Sequence, residues 1–406
     1  MRRVVVTGMG GVTALGSDWA SVDARLREGR NAVRRMTEWA DLEGLNTALG
    51  APVSFTVPPH YPRKQIRSMG RVSLLAVRAT ELALTQAGLL EDAVLKQGRT
   101  GIAYGSSAGS MEPVRAFGAM FDQRSMMSLN ATSYIQMMPH TTAVNAALHF
   151  GLTGRVIPTS SACTSGSQAI GYAFETIRMG KQDIMLAGGA EELTEASAVV
   201  FDLLFATSVR NDEPHMTPRP FDRNRDGLVT GEGAATLVLE EREHALARGA
   251  TIYAEVIGFA TNSDGAHITQ PESDTMAEAM LMALDDAALP ASAIDYVSAH
   301  GTATTRGDIA ESHATQRVLG EQVPVSSMKS YLGHTLGACG AIEAWWLIEM
   351  MRDKAFAPTL NLTDPDPACA ALDHIVQQHR SLDTEYTMSN NFAFGGINTS
   401  LIFARV

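Results

Sequence analysis

The chain has 406 residues, 45% of them hydrophobic and 19% charged, the balance of a soluble globular enzyme with room for two domains or one large duplicated domain. Its 32 Lys and Arg against 44 Asp and Glu leave a net charge of −12, which argues against a nucleic-acid partner, and no apolar run reaches the length of a membrane span. Three cysteines without paired spacing, Cys163, Cys339 and Cys369, argue against a disulfide framework or a zinc site and fit a reducing, cytoplasmic setting.

Arg3 to Thr7 has a buried-strand pattern, and a Gly-rich turn is predicted after it at Gly8-Met9-Gly10-Gly11. The basic start lacks the long apolar core of a signal peptide. Gly8-Met9-Gly10 runs on into Gly11-Val12-Thr13, a poor match to G-x-G-x-x-G, so nucleotide binding is not expected. A helix is predicted over Ser17–Glu28, capped by Ser17 or Asp18, and residues 31–62 read as irregular. The stretch Pro62 to Arg71 gathers Arg63, Lys64, Arg67 and Arg71. Such a run is most often a solvated helix face; its functional alternative is a dock for an acidic partner. A helix over Ser73–Ala87 ends at Gly88. Thr100–Tyr104 is a strand opening into the small-residue loop Gly105–Ser110, and a helix over Met137–Phe150 enters at Pro139.

Val156 and Ile157 form a short strand, Thr159 to Ser167 are small and polar, and from Ser167 the pattern is helical, with Ile170, Ala173 and Ile177 on one face. Cys163 therefore falls in the turn at a helix N-terminus, where free N–H groups and the helix dipole favour negative charge. A thiol there is expected to have a lowered pKa and to serve as a nucleophile; the plainer alternative is a small core cysteine. Asp183–Ala187 is a strand ending in Gly188-Gly189-Ala190-Glu191-Glu192. A charged turn, Arg219 to Gly227, precedes a glycine-led strand over Gly231–Glu240, and a short helix from Glu241 to Arg248 stops at Gly249.

A second half opens near Thr251 with a strand over Ile252–Phe259. His300 ends a strand in Ser298-Ala299-His300-Gly301-Thr302-Ala303-Thr304. His334 follows a Lys-bearing loop, Lys329-Ser330-Tyr331-Leu332-Gly333-His334, near the start of a helix over Gly337–Met351. A single histidine is more often structural than catalytic. Two at strand ends, with a lysine shortly before one and a cysteine at a helix N-terminus, make an active-site constellation, without metal-ligand spacing. Phe394-Gly395-Gly396 reads as a mobile gate or as an ordinary glycine turn. Alternating strands and helices imply α/β layers around a buried sheet. No internal repeat is visible, and a diverged duplication remains compatible.

Ser161-Ala162-Cys163-Thr164-Ser165-Gly166, His300-Gly301-Thr302-Ala303-Thr304, Lys329 with Gly333-His334-Thr335-Leu336-Gly337-Ala338, and Phe394-Gly395-Gly396-Ile397-Asn398 together resemble the beta-ketoacyl-[acyl-carrier-protein] synthases of the I/II type, across essentially the whole chain. The resemblance implies an α/β thiolase-like fold, a duplicated αβαβα five-layer sandwich, with the nucleophile in residues 1–249 and both histidines in residues 250–406. It implies an acyltransferase in which Cys163 accepts the acyl group and His300 and His334 bind the malonyl thioester oxygen. Lys329 would set the electrostatics, ion-paired with Glu311. Backbone N–H groups of Cys163 and Phe394 would form the oxyanion hole, and Phe394 would gate the site. Thr302 and Thr304 would hydrogen-bond a phosphopantetheine arm carried by the partner, an acidic acyl carrier protein, so that no metal or dissociable cofactor is expected. Arg63, Lys64 and Arg67 become the expected dock. A cytoplasmic homodimer is implied, with a heterodimer involving a chain-length factor compatible.

Against the family pattern, Ala393 replaces a glycine before Phe394, with backbone strain expected if that position needs φ > 0. Ser298 replaces an asparagine, and Tyr331-Leu332 replaces Met-Thr. Ala108 is small where long-chain members carry a larger residue in the acyl pocket, which suggests an unblocked pocket. Two other classes are weaker fits. A non-condensing chain-length factor usually lacks the cysteine. A degradative thiolase needs a second catalytic cysteine, a role that Cys369, in Asp364-Pro365-Asp366-Pro367-Ala368-Cys369, fits poorly.

Overall fold

The computed structural model describes residues 1–406. Residues 4–241 supply β1 (Val4–Thr13), α1 (Arg71–Gln86), β2 (Thr100–Gly105), α2 (Thr141–Phe150), β3 (Val156–Thr159), α3 (Ser165–Arg178), β4 (Ile184–Glu191) and β5 (Gly233–Glu241). Residues 254–404 supply β6 (Ala254–Ser263), α4 (Ser273–Ala287), β7 (Ile294–Ser298), α5 (Thr305–Leu319), β8 (Pro324–Ser326), α6 (Cys339–Asp353), β9 (Tyr386–Ala393) and β10 (Ile397–Ala404).

The strands lie in the order β3-β2-β4-β5-β1 and then, continuing the same sheet, β6-β10-β9-β7-β8. β2 runs parallel to β3 and β4, while β5 is antiparallel to β4 and β1. The second half repeats this: β7 is parallel to β8 and β9, and β10 is antiparallel to β9 and β6. Each strand has its counterpart five strands later and each helix three helices later. The duplication is thus plain in the topology although no repeat shows in the sequence. The halves join where Val4, Val5 and Val6 pair with Val256, Glu255 and Ala254.

Helices α1 and α2 cover the outer face of the first half, α4 and α5 that of the second, and α3 and α6 lie between, giving αβαβα layers. Strand alternation feeds both sides. On β4, Met185 and Ala187 enter the central core with Ile170, Ala173 and Ile177 of α3, whereas Ile184 and Leu186 pack under α1.

The structure changes two readings of the sequence and extends a third. Gly8 to Gly11 do not form a turn: β1 continues to Thr13. A Cβ on Gly10 would lie 2.6 Å from the Ala83 nitrogen, so the glycines let α1 rest against the strand. The helix expected over 137–150 is broken, with Ser133–Met137 ending before Pro139 and α2 starting at Thr141, as proline disfavours helix in the residue before it. The charged turn at 219–227 is largely buried. Arg225, buried, bonds the Asp366 carboxylate at 2.6 Å, and Asp222 accepts the backbone N–H groups of Thr363 and Asp364 at 2.9 and 3.0 Å. It fastens an insertion of the first half onto the second.

Candidate active site

Cys163 sits between β3 and α3 in a turn tied to itself by its small polar residues. Ser165 Oγ donates to the Ala162 carbonyl at 2.7 Å, Thr164 Oγ1 donates to the Ser161 carbonyl at 2.8 Å, and the Ser161 N–H donates to Ser165 Oγ at 3.0 Å. Those bonds hold Ala162 at φ +51°, a left-handed conformation costing about 1–2 kcal/mol for a residue with a Cβ. The strain presents the next side chain, Cys163, to the interior.

His334 Nε2 lies 3.0 Å from Cys163 Sγ. Its Nδ1 accepts the Leu336 N–H at 3.3 Å, which leaves the ring proton on Nε2, aimed at the sulfur. His300 lies alongside, its ring centroid 5.1 Å from that of His334 at an interplanar angle of 87°. Its Nδ1 faces two donors, Lys329 Nζ at 3.1 Å and Asn391 Nδ2 at 3.3 Å, so it too carries its proton on Nε2. Burial, with the Lys329 charge beside them, holds both imidazoles well below the usual histidine pKa. Both are therefore neutral N–H donors at neutral pH.

Lys329 is ion-paired with Glu343 of α6, not with Glu311. Burial works against its charge, but Glu343 outweighs the penalty and keeps the pKa above the ordinary lysine value. The Glu311 carboxylate, on α5, instead accepts the backbone N–H groups of His300 and Gly301 at 2.7 Å each, fixing the chain just past β7. Asn391 on β9 completes the network, donating to Glu343 Oε2 at 2.7 Å. One turn into α5, Asp308 accepts the N–H groups of Thr302 and Ala303 at 3.0 and 3.1 Å, holding the segment that carries Thr302 and Thr304.

The thiol departs from the expectation of a lowered pKa. Burial pushes Cys163 up to about 11, although Lys329 and the backbone N–H groups of Phe394 and Cys163 pull the other way. Desolvating a thiolate costs more here than the helix N-terminus returns.

Cys163, His300, His334, Thr302, Thr304 and Phe394 all line one cavity of about 410 Å³. The half-buried Phe394 ring packs on Phe201, centroid to centroid 5.3 Å. Ala393 is not strained: it ends β9, paired with Ile397, and the left-handed positions are Gly395 and Gly396, at φ 88° and 71°. Ala108 does not line this cavity. Arg63, Lys64 and Arg67 are exposed at the short helix Arg63–Ile66 and are likewise absent from its lining. Arg71 leaves that group, its guanidinium bonded to Glu232 at 2.5 and 2.8 Å. Ser298 is fully buried, with an unpartnered hydroxyl.

Sequence reasoning missed Glu343, Asn391 and Cys339. Cys339 opens α6 and donates its S–H to the Cys163 carbonyl at 3.2 Å. The only advance signal for Cys339 and Glu343 was a cysteine and an acid on a mostly apolar helix, which also carries Glu349. The fold also gathers ligand-type atoms that sequence spacing kept apart: Cys163, His300 and His334 bring theirs within 4.8 Å of one another. The Lys329 ammonium beside them, and Nε2–H groups directed inward, suit an anion rather than a cation.

The duplicated sandwich and its Cys–His–His–Lys cluster define a thiolase-like protein. Residues 1–245 match "Beta-ketoacyl synthase, N-terminal domain" and residues 253–363 match "Beta-ketoacyl synthase, C-terminal domain". The chain is similar to 3-oxoacyl-[acyl-carrier-protein] synthase 1 of Haemophilus influenzae, 35% identical over 408 residues, covering 100% of this chain and 99% of the relative. Among solved structures it is similar to a beta-ketoacyl synthase from Burkholderia phymatum STM815, at 66% identity and a TM-score of 0.99 over 100% of both chains. It is also similar to a ketosynthase solved in complex with its type II polyketide synthase acyl-carrier protein, at 32% identity and a TM-score of 0.88 over 100% of both chains. The chain belongs to the beta-ketoacyl synthase family.

Proposed function

We propose that this protein is a 3-oxoacyl-[acyl-carrier-protein] synthase that lengthens an acyl chain by two carbons through decarboxylative Claisen condensation. The observation that carries this is Cys163 Sγ lying 3.0 Å from His334 Nε2, with the sulfur and one ring nitrogen of each of His300 and His334 all within 4.8 Å of one another.

Cys163 attacks the thioester carbonyl of an acyl carrier protein, the carrier thiol leaves, and the acyl group becomes a cysteine thioester. Malonyl carrier protein then enters and its carboxylate departs as carbon dioxide. The electron pair of the broken C–C bond is delocalised onto the thioester oxygen, where the Nε2–H groups of His300 and His334 stabilise the enolate. The enolate carbon attacks the acyl-cysteine, whose oxygen sits against the N–H groups of Cys163 and Phe394. Collapse releases the cysteine sulfur and the 3-oxoacyl product on its carrier. Each preorganised donor of this kind is worth roughly 3–4 kcal/mol of barrier.

The partner is an acyl carrier protein, whose phosphopantetheine arm brings the only prosthetic group the chemistry needs. Thr302 and Thr304, on the cavity wall, supply hydroxyls for that arm. The protein acts as a cytoplasmic homodimer. β3 is an edge strand with Val156 exposed, and Phe121, Met126 and Met127 are exposed on the segment between β2 and α2, apolar surface of the kind a second copy covers. No helix is long and apolar enough to cross a membrane.

The test is intact mass after incubation with a panel of saturated and polyunsaturated acyl carrier proteins. Mass added to wild type and absent from Cys163→Ala, then discharged as 3-oxoacyl product by malonyl carrier protein, supports the reading. No acylation from any donor would make the chain a non-condensing subunit or half of an obligate heterodimer.

A further inference from the structure

The two histidines of the site are held in different ways. His300 Nδ1 faces two side-chain donors, Lys329 Nζ and Asn391 Nδ2. His334 Nδ1 has one partner, the backbone N–H of Leu336 at 3.3 Å. That N–H lies two residues further along the same chain, so the local backbone sets its direction. Leu336 stands at φ +45°, a left-handed conformation that a residue with a Cβ keeps only where its surroundings impose it.

What imposes it is Glu191, the last residue of β4, a buried acid that hydrogen-bonds neither Cys163 nor either imidazole. Its Oε2 accepts the Gly337 N–H at 3.0 Å and the Ser107 N–H at 2.8 Å. Leu336 is the joint between two peptide planes. The plane before it carries the N–H that meets His334, and the plane after it carries the N–H that meets Glu191. The φ and ψ of Leu336 relate those planes, so fixing the second aims the first. The backbone of His334 is pinned independently. Its N–H donates to the Val229 carbonyl at 2.7 Å, and its carbonyl accepts the Gly231 N–H at 2.9 Å. The ring is therefore the part that Leu336 orients. Position 337 suits glycine, since a Cβ there would lie 2.7 Å from the Ser107 nitrogen and 2.9 Å from Glu191 Oε2. One oxygen thus joins three segments: the end of β4, the loop after β2 and the turn after His334.

We propose that Glu191 is a positioning residue for the condensation: by holding the Leu336–Gly337 peptide it keeps Leu336 left-handed with its N–H on His334 Nδ1, and so keeps the His334 ring proton on Nε2. This rests on the condensing-enzyme reading above. His300 needs no such device, because Lys329 and Asn391 already face its Nδ1. His334 has only a strained backbone for the purpose, and Glu191 is what that backbone leans on.

The experiment reads the histidine ring nitrogens by NMR in protein labelled at histidine, with the His334 signals assigned by their loss in His334→Gln. Carbon dioxide release from malonyl carrier protein is measured alongside. In wild type, His334 is expected to carry its proton on Nε2 and none on Nδ1. Glu191→Leu removes the acceptor and should bring in a second His334 form with the proton on Nδ1. Carbon dioxide release should slow about 10–100-fold, short of the roughly 10²–10³-fold that outright loss of a preorganised donor costs. Gly337→Ala keeps the acid but drives a Cβ toward Oε2. It should give the same two changes, an independent route should Glu191→Leu not fold. Glu191→Gln retains an oxygen for both N–H groups and should stay within about threefold of wild type. The His300 signals should not move in any of these variants. Wild-type His334 signals in Glu191→Leu or Gly337→Ala, whatever their stability, overturn the proposal. So does an equal loss in Glu191→Gln and Glu191→Leu, which would trace the effect to charge rather than to the held peptide. A matching change at His300 also overturns it, making Glu191 a general support of the site. Wild type that shows the expected His334 form yet releases no carbon dioxide would overturn the condensing-enzyme reading instead, and leave the hold of Glu191 on His334 standing.

Discussion

Helices α3 and α6 hold equivalent places in the two halves and cross at their N-terminal ends. A Cβ on Gly166 would come within 2.9 Å of the Ala341 nitrogen, and one on Gly340 within 2.7 Å of the Ser167 nitrogen. Each helix has a cysteine at this end, and the two do different things. Cys163, just before α3, opens onto the cavity and His334. Cys339, the first residue of α6, turns inward and bonds the Cys163 carbonyl. Helix α6 is buried nearly throughout yet carries Glu343 to meet Lys329. Duplication built one scaffold twice. The nucleophile then settled on the first copy, and the charge and hydrogen-bond donors on the second.

This division of labour can be broken in order of severity. Cys163→Ala should lower condensation by at least about 10⁴-fold, as loss of a nucleophile does elsewhere, with no mass added to the protein by any acyl donor. His300→Ala should separate the halves: release of carbon dioxide from malonyl carrier protein should fall about 10²–10³-fold, while intact mass still shows Cys163 acylated. Equal loss of both steps would mean that the two halves do not divide the chemistry.

Lys329→Met leaves the buried Glu343 without its cation and should cost about 3–5 kcal/mol of stability, read as the shift of a denaturation midpoint. Lys329→Met with Glu343→Leu should recover most of it, and a double variant no better than the single would show that the pair is not coupled. With the thiol near 11, thiolate is the minor form below that pH. Alkylation of Cys163 by iodoacetamide should therefore rise about tenfold per pH unit from 7 to 10. A plateau near pH 8 would mean that the oxyanion donors outweigh burial. The smallest effect is expected from Arg63→Ala, Lys64→Ala and Arg67→Ala together: a few-fold slower association with the carrier at low salt, vanishing at high salt, by stopped-flow fluorescence.

The sequence was most legible where chemistry and local structure coincide. The small polar run around Cys163, the face of Ile170, Ala173 and Ile177, and the strand leading to His300 can each be seen within a dozen residues. Partners set by tertiary packing were not. Glu343 meets Lys329 across a turn, a short helix and the start of α6, while Glu311, nearer to His300 in sequence, is spent on backbone N–H groups. Arg71 looked like one more charge in a basic run, but its acid, Glu232, comes from the other end of the half. The thiol was misread because a helix N-terminus can be inferred from a pattern whereas burial cannot. Ala393 looked strained only because its backbone angle was unknown.

The edge-to-edge pairing of β1 has a consequence for biosynthesis. Its partners are β5, at Gly233–Glu241, and the first residues of β6. A ribosome adding roughly 5–20 residues per second needs on the order of 10–50 s to deliver them. Through that interval the apolar segment Val4-Val5-Val6 has left the exit tunnel with no neighbour in the sheet, a natural client for a chaperone that binds short extended hydrophobic stretches. The sheet seam that unites the halves in the finished protein stays open, on the nascent chain, until Ala254 to Val256 have been made.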